Sequence, residues 1–463
     1  MRNLIVLTTT LLLLGGCTLG PDYQRQELDL PEHWPAAVAT APGRAAETRW
    51  WQEFDDPFLN RLVERALDDN LNLQLQLQRI ADARAQLGLQ TANRWPLLSA
   101  QAEASRQRQS TAFSTPGNNP YNSFSLAAVL SYEVDLWGRI ERQREAAEAS
   151  LAASVHGTEA VRLALVTDLV TGYINLRSIA QQQDVLNQTV RSRQQTLDLE
   201  ILRQEQGANN PLSLRQAEAA LEASRARLPQ LEQQFQLYAS ALAVLAGFSP
   251  RELLAEFDFG ARRLEDLTLP AALPDTLPSE LLQRRPDLQA AEAALIAANA
   301  RVGVAMAERW PSLNLHGLIG SAAPEVDDLF SGSSRIWTLA GGLAGPLFDF
   351  GRSRARIESA QALLEQAQTT YELAVVGAFR DVRDALTLHQ GAEQRMQALQ
   401  RQRQAVARAG ELAAFQYEYG AIGFYELLAI QRDLLDTDLL VTDALRDQLI
   451  ARATLFKALG GNF

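Results

Sequence analysis

Four short landmarks occur twice in this chain, at a nearly constant spacing of 213 to 215 residues. The pairs are Arg94-Trp95-Pro96 with Arg309-Trp310-Pro311, Trp137-Gly138-Arg139 with Phe350-Gly351-Arg352, Gly207-Ala208 with Gly420-Ala421, and Leu245-Ala246-Gly247 with Ala458-Leu459-Gly460. A nearly constant offset predicts a duplicated unit whose parts keep their lengths. Two copies are too few for a solenoid, and they favour a closed assembly that several chains build together.

The N-terminus predicts export from the cytoplasm. Arg2 supplies a positive charge, Leu4 to Leu14 form a short apolar run, and two glycines precede Cys17. This is the pattern of a secretory signal, and the apolar run is too short to span a bilayer as a helix. The residues Leu14-Gly15-Gly16-Cys17 resemble a bacterial lipobox. This resemblance implies that Cys17 becomes the lipidated first residue of the mature chain. The alternative is an ordinary signal peptide with an incidental cysteine.

The residues around that position bear on the compartment. Cys17 is the only cysteine of the chain, so no intramolecular disulfide can form. Thr18 follows it where some bacterial lipoproteins have aspartate, and by resemblance to those proteins this favours sorting to the outer membrane. We therefore expect a protein of the bacterial outer membrane that is both lipid-anchored and spanning, with a large periplasmic part.

Composition excludes one class of function and restricts the way a membrane could be crossed. The formal net charge of the 463-residue chain is −12, whereas nucleic-acid binding calls for a basic patch. No unbroken run of about 18 apolar residues follows the signal, so we expect no transmembrane helix. A chain of this kind can then cross a bilayer only as part of a closed β-barrel.

Two pairs of segments alternate apolar and polar residues with the period of a β-strand. The first pair runs from Leu98 to Arg108 and from Phe124 to Asp135, and the second copy repeats it around Leu313 to Ile319 and Trp337 to Leu347. The intervening loops are predicted at Ser110 to Asn122 and Ser321 to Ser334. Strands of about ten alternating residues are typical of transmembrane barrels, although a soluble sandwich or an exposed hairpin is an alternative. The residues predicted to face lipid are Leu126, Leu130, Tyr132, Leu339 and Leu343.

Four strands cannot close a barrel with a passage, because barrel diameter grows with the number of strands. Most of the remaining length has helical periodicity, with very long helices at Arg139 to Gln206 and Arg352 to Tyr419. Each is followed by a glycine-centred turn and a returning helix, Pro211 to Ala246 and Phe424 to Leu459. A shorter helix precedes each strand pair, near Asp56 to Asn93 and Ser279 to Glu308.

This order of elements, together with the lipobox, resembles the outer membrane factor family of TolC- and OprM-like exit ducts, and within it the NodT-type lipoproteins. The residues that match the start of the family's second repeat are Arg284-Arg285-Pro286-Asp287, Ala291-Glu292, Ala298-Asn299-Ala300-Arg301-Val302-Gly303 and Pro311. Those that match its opening and its last turn include Trp51, Phe54, Asp56-Pro57, Asn70, Arg79, Gly420, Leu427-Leu428 and Gln431-Arg432. The resemblance covers essentially all of the mature chain.

The resemblance implies a mixed α/β membrane protein that forms a homotrimer. Three chains with four strands each would give a twelve-stranded outer-membrane β-barrel, continued by a long periplasmic α-helical coiled-coil barrel. The expected boundaries are a signal peptide at 1–16, a lipidated N-terminal segment at 17–55, repeat 1 at 56–247, a linker at 248–278 and repeat 2 at 279–460. The periplasmic tips are expected at Gly207 and Gly420, where glycine permits a tight reversal.

In relatives, inward residues just after the tip turns close the periplasmic end of the tube, and they often include aspartates. Counting from the turns, the equivalent positions here carry Glu426, Ala429 and Ser213, and Ile422 and Phe424 lie beside them. We therefore expect one acidic ring of three Glu426 side chains, or a seal by apolar packing. The alternative is that Glu426 is a solvated residue at a helix start, where negative charge is common.

The sequence predicts no catalytic site, no metal site and no cofactor, as suits a passive duct. The predicted function is the exit duct of a tripartite efflux system, which conducts small molecules such as drugs from an inner-membrane pump and a periplasmic adaptor to the exterior. One alternative is the same duct in type I protein secretion. The other is a periplasmic coiled-coil spacer without a pore, which would have no use for alternating strands.

Overall fold

The computed structural model describes residues 18–25, 27–31, 34, 40–41, 49–110, 119–207, 210–255, 263–269, 273–274 and 278–461. Its helices are α1 Pro57–Asp69, α2 Leu71–Ala92, α3 Arg139–Glu205, α4 Pro211–Arg225, α5 Leu228–Leu245, α6 Pro250–Leu253, α7 Leu281–Arg284, α8 Pro286–Ala307, α9 Arg352–Glu418 and α10 Phe424–Ala458. Its strands are β1 Thr40–Ala41, β2 Leu97–Gln107, β3 Tyr121–Val134, β4 Leu273–Pro274, β5 Ser312–Ala323 and β6 Arg335–Ala344. Short 3₁₀ helices occupy Trp50–Phe54, Leu264–Asp266, Pro278–Glu280, Val326–Phe330 and Gly332–Ser334. The signal and Cys17 lie outside the described residues.

The chain divides into two compact units. Unit 1 comprises residues 1–28, 78–155 and 290–373, and unit 2 comprises residues 29–77, 156–289 and 374–463. Each unit takes residues from both sequence copies.

Unit 1 contains an antiparallel sheet in the order β2-β3-β5-β6. The central pairing joins the two copies, because β3 belongs to the first and β5 to the second. At the ends of these strands the Trp137 and Trp310 rings stack with centroids 4.9 Å apart. Trp137 Nε1 also donates a 2.8 Å hydrogen bond to the carbonyl oxygen of Pro311. The repeated landmarks of the sequence therefore contact one another at the strand–helix junctions.

Unit 2 has an aromatic core around the 3₁₀ helix Trp50–Phe54. The Trp50 ring stacks on that of Phe456 at 5.3 Å, and both side chains are buried. Asp56 is the N-cap of α1, and its Oδ1 accepts hydrogen bonds from the backbone N–H groups of Phe58 and Leu59. Its Oδ2 accepts a 2.7 Å hydrogen bond from the Tyr173 hydroxyl, so a helix cap is tied to the long helix α3.

The Arg-Arg-Pro-Asp motif has a structural role in unit 2. The buried Arg285 guanidinium donates to both carboxylate oxygens of Asp287, at 3.0 and 2.7 Å, and to Asp381 of α9 at 3.2 Å. It also donates to the carbonyl oxygen of Ala458 at the end of α10, at 3.3 Å. One planar side chain with five donors thus holds three segments together.

Three helices that the sequence predicts as continuous are interrupted. The predicted helix near Asp56 to Asn93 breaks at Asn70, whose side-chain oxygen caps the next helix by accepting from Leu73 N–H at 3.0 Å. The predicted helix Pro211 to Ala246 becomes α4 and α5, because Pro229 in the first turn of α5 has no N–H to donate to a preceding turn. The predicted helix Ser279 to Glu308 is divided in the same way before Pro286.

Both predicted loops and the last predicted strand are also corrected. The first loop, predicted at Ser110 to Asn122, ends before Tyr121, because Tyr121 and Asn122 pair with Gln107 and Arg106 within the sheet. Ser321 lies within β5, where it pairs with Leu126 and Arg335, so the loop begins after Ala323. Leu347 lies beyond β6, which ends before Pro346, a residue that cannot donate to a strand ladder.

One described helix, α8, is long and apolar enough to cross a membrane by length and composition alone. Half of its most apolar stretch is buried, as in the core helix of a folded domain. The expectation from unbroken apolar runs overlooked this alanine-rich segment, Pro286–Ala307.

Candidate functional site

The strand register places the predicted lipid-facing residues on one face of the sheet. Leu130 of β3 lies opposite Leu98 of β2 and Gly317 of β5, and Gly317 lies opposite Leu339 of β6. Directly opposite residues of an antiparallel pair point to the same side. Period-two alternation then assigns to this face, called the apolar face, the residues Leu98, Ala100, Ala102, Ala104, Phe124, Leu126, Ala128, Leu130, Tyr132, Val134, Leu313, Leu315, Gly317, Ile319, Ala323, Trp337, Leu339, Gly341 and Leu343. At the loop ends of the strands the same face carries the polar residues Arg106, Asn122, Ser321 and Arg335.

The opposite face of the sheet carries mostly small or polar residues, with Leu97, Val129, Leu318 and Ile336 as apolar exceptions. Ser131 pairs with Leu97 and His316, and Glu133 pairs with Asn314. This face also carries Ser99, Gln101, Glu103, Ser125 and Thr338. A sheet with one apolar and one polar face suits a boundary between lipid and water.

The apolar face lacks a cover within the described part of the chain. Leu339 is 78% exposed and Leu343 is 67% exposed, although both are large apolar side chains. A contiguous patch of this kind marks a surface that contacts another protein or a membrane. That lipid covers the apolar face stays a prediction.

Both predicted tip turns have the backbone conformation for which glycine is suited. Gly207 has φ +67° and Gly420 has φ +73°, and each lies two residues beyond the end of a long helix. The Gly420 N–H donates to the carbonyl oxygen of Tyr417 at 3.1 Å, and the Ala421 N–H donates to that of Gln416 at 2.8 Å. These bonds satisfy carbonyl groups that the helix end leaves free.

Four helices meet beside these turns in unit 2. Ala217 of α4, Ala413 of α9, and Phe424 and Leu427 of α10 form a buried cluster, here called the tip cluster. Partly buried residues that pack against it include Ile422, Tyr417 and Leu197, the last from α3. Residues from both sequence copies thus form one apolar contact at the turns.

A polar contact lies next to the tip cluster. Glu200 of α3 is fully buried, and its carboxylate accepts a 2.6 Å hydrogen bond from the Tyr417 hydroxyl. The Arg203 guanidinium lies 3.5 Å from the same carboxylate and 4.8 Å from the centre of the Tyr417 ring. No sequence pattern predicted this polar contact. Two features of the sequence could have indicated it: the opposite charges of Glu200 and Arg203, three residues apart on α3, and a tyrosine one turn before Gly420.

The gate candidates fall into two sets in the structure. Phe424 is buried in the tip cluster and Ile422 packs against it, whereas Glu426 is exposed. The Glu426 carboxylate turns back toward Gly423, the N-cap of α10: a Cβ built on Gly423 would lie 2.7 Å from its Oε2. A carboxylate in this position interacts favourably with the helix N-terminus. The other two candidates, Ser213 and Ala429, are half-buried and are not members of the cluster.

The fold, the two repeats and the two-faced sheet define the class. The sequence profile of the outer membrane efflux protein family matches residues 62–248 and 277–461, and the chain belongs to this family. The chain is 34% identical over 457 residues to the outer membrane protein OprJ of Pseudomonas aeruginosa, covering 98% of this chain and 94% of OprJ. It is 28% identical over 460 residues to the probable outer membrane lipoprotein SilC of Salmonella typhimurium, covering 98% of each.

The solved structure of the outer-membrane channel OprN has the same fold. It superposes with a TM-score of 0.89 at 30% identity, covering 96% of this chain and 99% of that one. Solved channel structures of this kind confirm the expected fold class, a trimeric outer-membrane channel with a β-strand region and a long helical barrel. The resemblance that the sequence indicated is confirmed as well.

Proposed function

We propose that this protein is the outer-membrane exit duct of a tripartite efflux system and that it acts as a homotrimer. It receives small molecules from an inner-membrane pump through a periplasmic adaptor and conducts them passively to the exterior. Its relatives are outer-membrane components of efflux systems, and the family is one of efflux channels.

The observation that carries the proposal is the open, two-faced sheet. In the order β2-β3-β5-β6, the outer strands β2 and β6 each have one hydrogen-bonded neighbour among the described residues. An open edge cannot lie in lipid, because its N–H and C=O groups would lack partners. Pairing of β6 of one copy with β2 of the next removes every edge, and three copies of four strands give a closed ring of twelve.

The proposal also assigns the two faces and the anchor. In the closed ring the apolar face meets lipid and the polar face lines a water-filled passage. A lipid on Cys17 adds a second attachment to the outer membrane, as the name of the relative SilC supports. A coiled-coil spacer without a pore would not need the apolar face, whereas a duct for protein secretion would share it.

The first experiment tests the pore. The purified mature protein should have three times the mass of one chain and should conduct ions in planar lipid bilayers. The Leu130→Arg variant, with a charge on the apolar face, should not insert. The Ser131→Arg variant, with the same charge on the polar face, should insert and conduct. A wild-type protein that neither inserts nor conducts would leave the spacer as the better account.

The second experiment distinguishes efflux from protein secretion. Removal of the gene from its native host should raise the accumulation of a fluorescent toxic dye and leave the set of secreted proteins unchanged. Restoring the wild-type gene or the Ser131→Arg gene should restore dye efflux, and the Leu130→Arg gene should not. Loss of a secreted protein with dye efflux intact would assign the duct to type I secretion.

A further inference from the structure

The residues that directly follow Cys17 are bound in a defined position in unit 1. Thr18 to Arg25, here called the N-terminal strap, begins at the junction between β3 and α3. The Leu19 N–H donates a 3.1 Å hydrogen bond to the carbonyl oxygen of Trp137, two residues before the start of α3. The start of the strap is thereby held by the junction between β3 and α3.

One buried side chain makes most of the polar contacts with the start of the strap. Arg142 of α3, whose side chain is 5% exposed, donates through Nε to the carbonyl oxygen of Leu19 at 3.1 Å. Its Nη2 donates to the carbonyl oxygen of Gly20 at 3.2 Å and to the Asp22 carboxylate at 2.7 Å. Its Nη1 donates to Glu145 on the same helix at 2.7 Å. Three of these four bonds therefore depend on the strap.

Glycines allow the backbone of the strap to pack directly against α8 and against the junction before α3. Gly20 has φ +92°, and a Cβ built on it would lie 2.5 Å from the Cα of Gly303 in α8. A Cβ on Gly303 would lie 2.8 Å from the carbonyl oxygen of Leu19, and one on Gly138 would lie 2.8 Å from the Cα of Thr18. These contacts are with backbone atoms, which cannot move aside as a flexible side chain can. The site is shaped for the strap.

The strap then continues along α8 in the opposite direction to that helix. Asn299 Nδ2 donates to the carbonyl oxygen of Pro21 at 2.8 Å, and Glu292 accepts from the Tyr23 hydroxyl at 3.1 Å and from Arg25 Nε at 2.7 Å. From position 303 to position 292 the helix rises by roughly 16 Å, at 1.5 Å per residue. Five extended residues of the strap span about the same length. The strap thus joins α3 of the first copy to α8 of the second.

We propose that Arg142 is the positioning residue of the lipid anchor: by binding the strap, it holds a lipid carried by Cys17 at the junction between β3 and α3. The proposal rests on the lipidation of Cys17 that is part of the proposed function. Consecutive Cα atoms are about 3.8 Å apart, so a group on position 17 cannot leave the neighbourhood of Thr18. At that junction β3 ends, and with it the apolar face, so the acyl chains enter the bilayer beside the barrel wall.

The energetics favour a bound strap. A guanidinium that is buried without partners for its N–H groups costs free energy, and Arg142 would lose three of its bonds if the strap left. Lysine keeps the charge but lacks the planar fork that reaches two carbonyl groups and a carboxylate together. The Arg142→Lys variant should therefore hold the strap more weakly than wild type, although better than a variant without the charge.

The first test follows the strap itself by hydrogen exchange of residues 18–25 in the full-length trimer. Arg142→Met and Gly20→Ala should accelerate exchange there by about tenfold or more, since a lost charged hydrogen bond or a backbone clash is worth that factor. Exchange in the strands should not change. Slow exchange that persists in Arg142→Met would overturn the proposal.

Two matched controls belong to this test. Arg144→Met removes a neighbouring arginine whose ion pairs are with Glu141 and Glu148 of the same helix. Gly351→Ala places a side chain at another positive φ, +88°, where a Cβ meets nothing within 4 Å. Both variants should keep the wild-type exchange of residues 18–25. Acceleration in Gly351→Ala would mean that backbone strain anywhere loosens the strap.

The second test asks whether Arg142 acts through the lipid. The temperature at which the inserted trimer dissociates is measured for wild type and Arg142→Met, each in the lipidated form and in a form exported with an ordinary signal peptide and no Cys17. We expect Arg142→Met to lower this temperature more in the lipidated form, because only there does it also misplace the anchor. An equal fall in the dissociation temperature in both forms would mean that Arg142 has only a structural role, and it would overturn the proposal.

Failure of the underlying assumption is recognised separately. Mass spectrometry of the mature N-terminus reports whether Cys17 carries lipid, whatever the strap does. An unmodified Cys17 would refute the lipid anchor and with it the assigned role of Arg142. Lipidated Cys17 with equal losses in the two forms would refute only the role of Arg142.

Discussion

The Tyr417 hydroxyl donates a 2.6 Å hydrogen bond to Oε1 of Glu200, a fully buried carboxylate. The bond joins the long helix of the second copy to that of the first, close to the turns at Gly207 and Gly420. Burial, and then the hydrogen bond to Glu200, raises the pKa of Tyr417 to about 12. The tyrosine therefore stays protonated, and the bond persists, throughout the physiological pH range.

Removal of this hydroxyl should loosen the tip. Tyr417→Phe leaves Glu200 buried without one of its partners, which costs about 1–3 kcal/mol. We expect faster hydrogen exchange around both tip turns and a higher single-channel conductance. Tyr419→Phe is the matched control, because Tyr419 lies two residues further along the chain, just beyond the end of α9, and is 73% exposed. The same conductance in wild type and Tyr417→Phe would show that this contact does not restrain the tip.

The apolar face can be tested one residue at a time. A charge at a lipid-facing midplane position costs about 2–4 kcal/mol, whereas positions that face the lumen tolerate it. Leu130→Arg should therefore reduce the amount of heat-modifiable trimer in outer membranes much more than Ser131→Arg, although the two residues are neighbours on β3. Equal tolerance at both positions would contradict the assignment of the two faces.

The Arg285 site predicts that a single substitution strongly lowers the stability of unit 2. Arg285→Ala removes donors to Asp287, Asp381 and a helix-end carbonyl at once, and should cost about 3 kcal/mol of stability. Its neighbour Arg284, whose side chain is 32% exposed and pairs with Glu280, supplies the control. Arg284→Ala should cost less than about 1 kcal/mol. Thermal dissociation of the two variant trimers measures the difference.

The sequence predicts the sheet well because strand patterning is local. In β3 the alternation from Phe124 to Val134 specifies which residues share a face, and a register slip by one residue would invert every side chain. The positive φ at Gly207 and Gly420 likewise follows from residue type and position.

Other features depend on contacts that no local pattern carries. The break at Asn70 depends on whether its side chain caps the next turn, and the binding of the strap depends on Arg142, more than a hundred residues away. Glu200 has the charge of a surface residue, and its burial is explained by contacts such as those with Tyr417 and Arg203, which no local pattern indicates. Sequence periodicity predicts elements, whereas such partners appear only when distant segments are brought together.

The lipid on Cys17 is directly measurable. We expect the mature protein to begin at Cys17, with its mass increased by the attached acyl groups. Replacing Cys17 and exporting the chain with an ordinary signal peptide should remove the anchor while leaving the barrel able to insert, because the apolar face is unchanged. A mature N-terminus at another residue, or a free Cys17 thiol, would contradict the lipoprotein assignment.

The last prediction concerns Glu426 and the way the periplasmic end closes. If the three Glu426 side chains of a trimer converge near the axis, their charges attract cations into a narrow constriction. Glu426→Gln should then lower the cation preference of the channel in planar bilayers without changing the thermal stability of the trimer. The effect of the substitution should shrink as salt rises, because screening shortens the reach of the ring.

The position of Glu426 supplies a competing expectation that the same measurement decides. Its carboxylate lies beside Gly423 at the start of α10, where negative charge favours the helix, while Phe424 and Ile422 supply apolar packing at the turn. Under that account Glu426→Gln lowers the stability of the tip by about 0.3–1 kcal/mol and leaves ion selectivity unchanged. Glu418→Gln, at the end of α9, is the control for loss of one charge near the turn. Unchanged selectivity in Glu426→Gln would favour the apolar seal over the acidic ring.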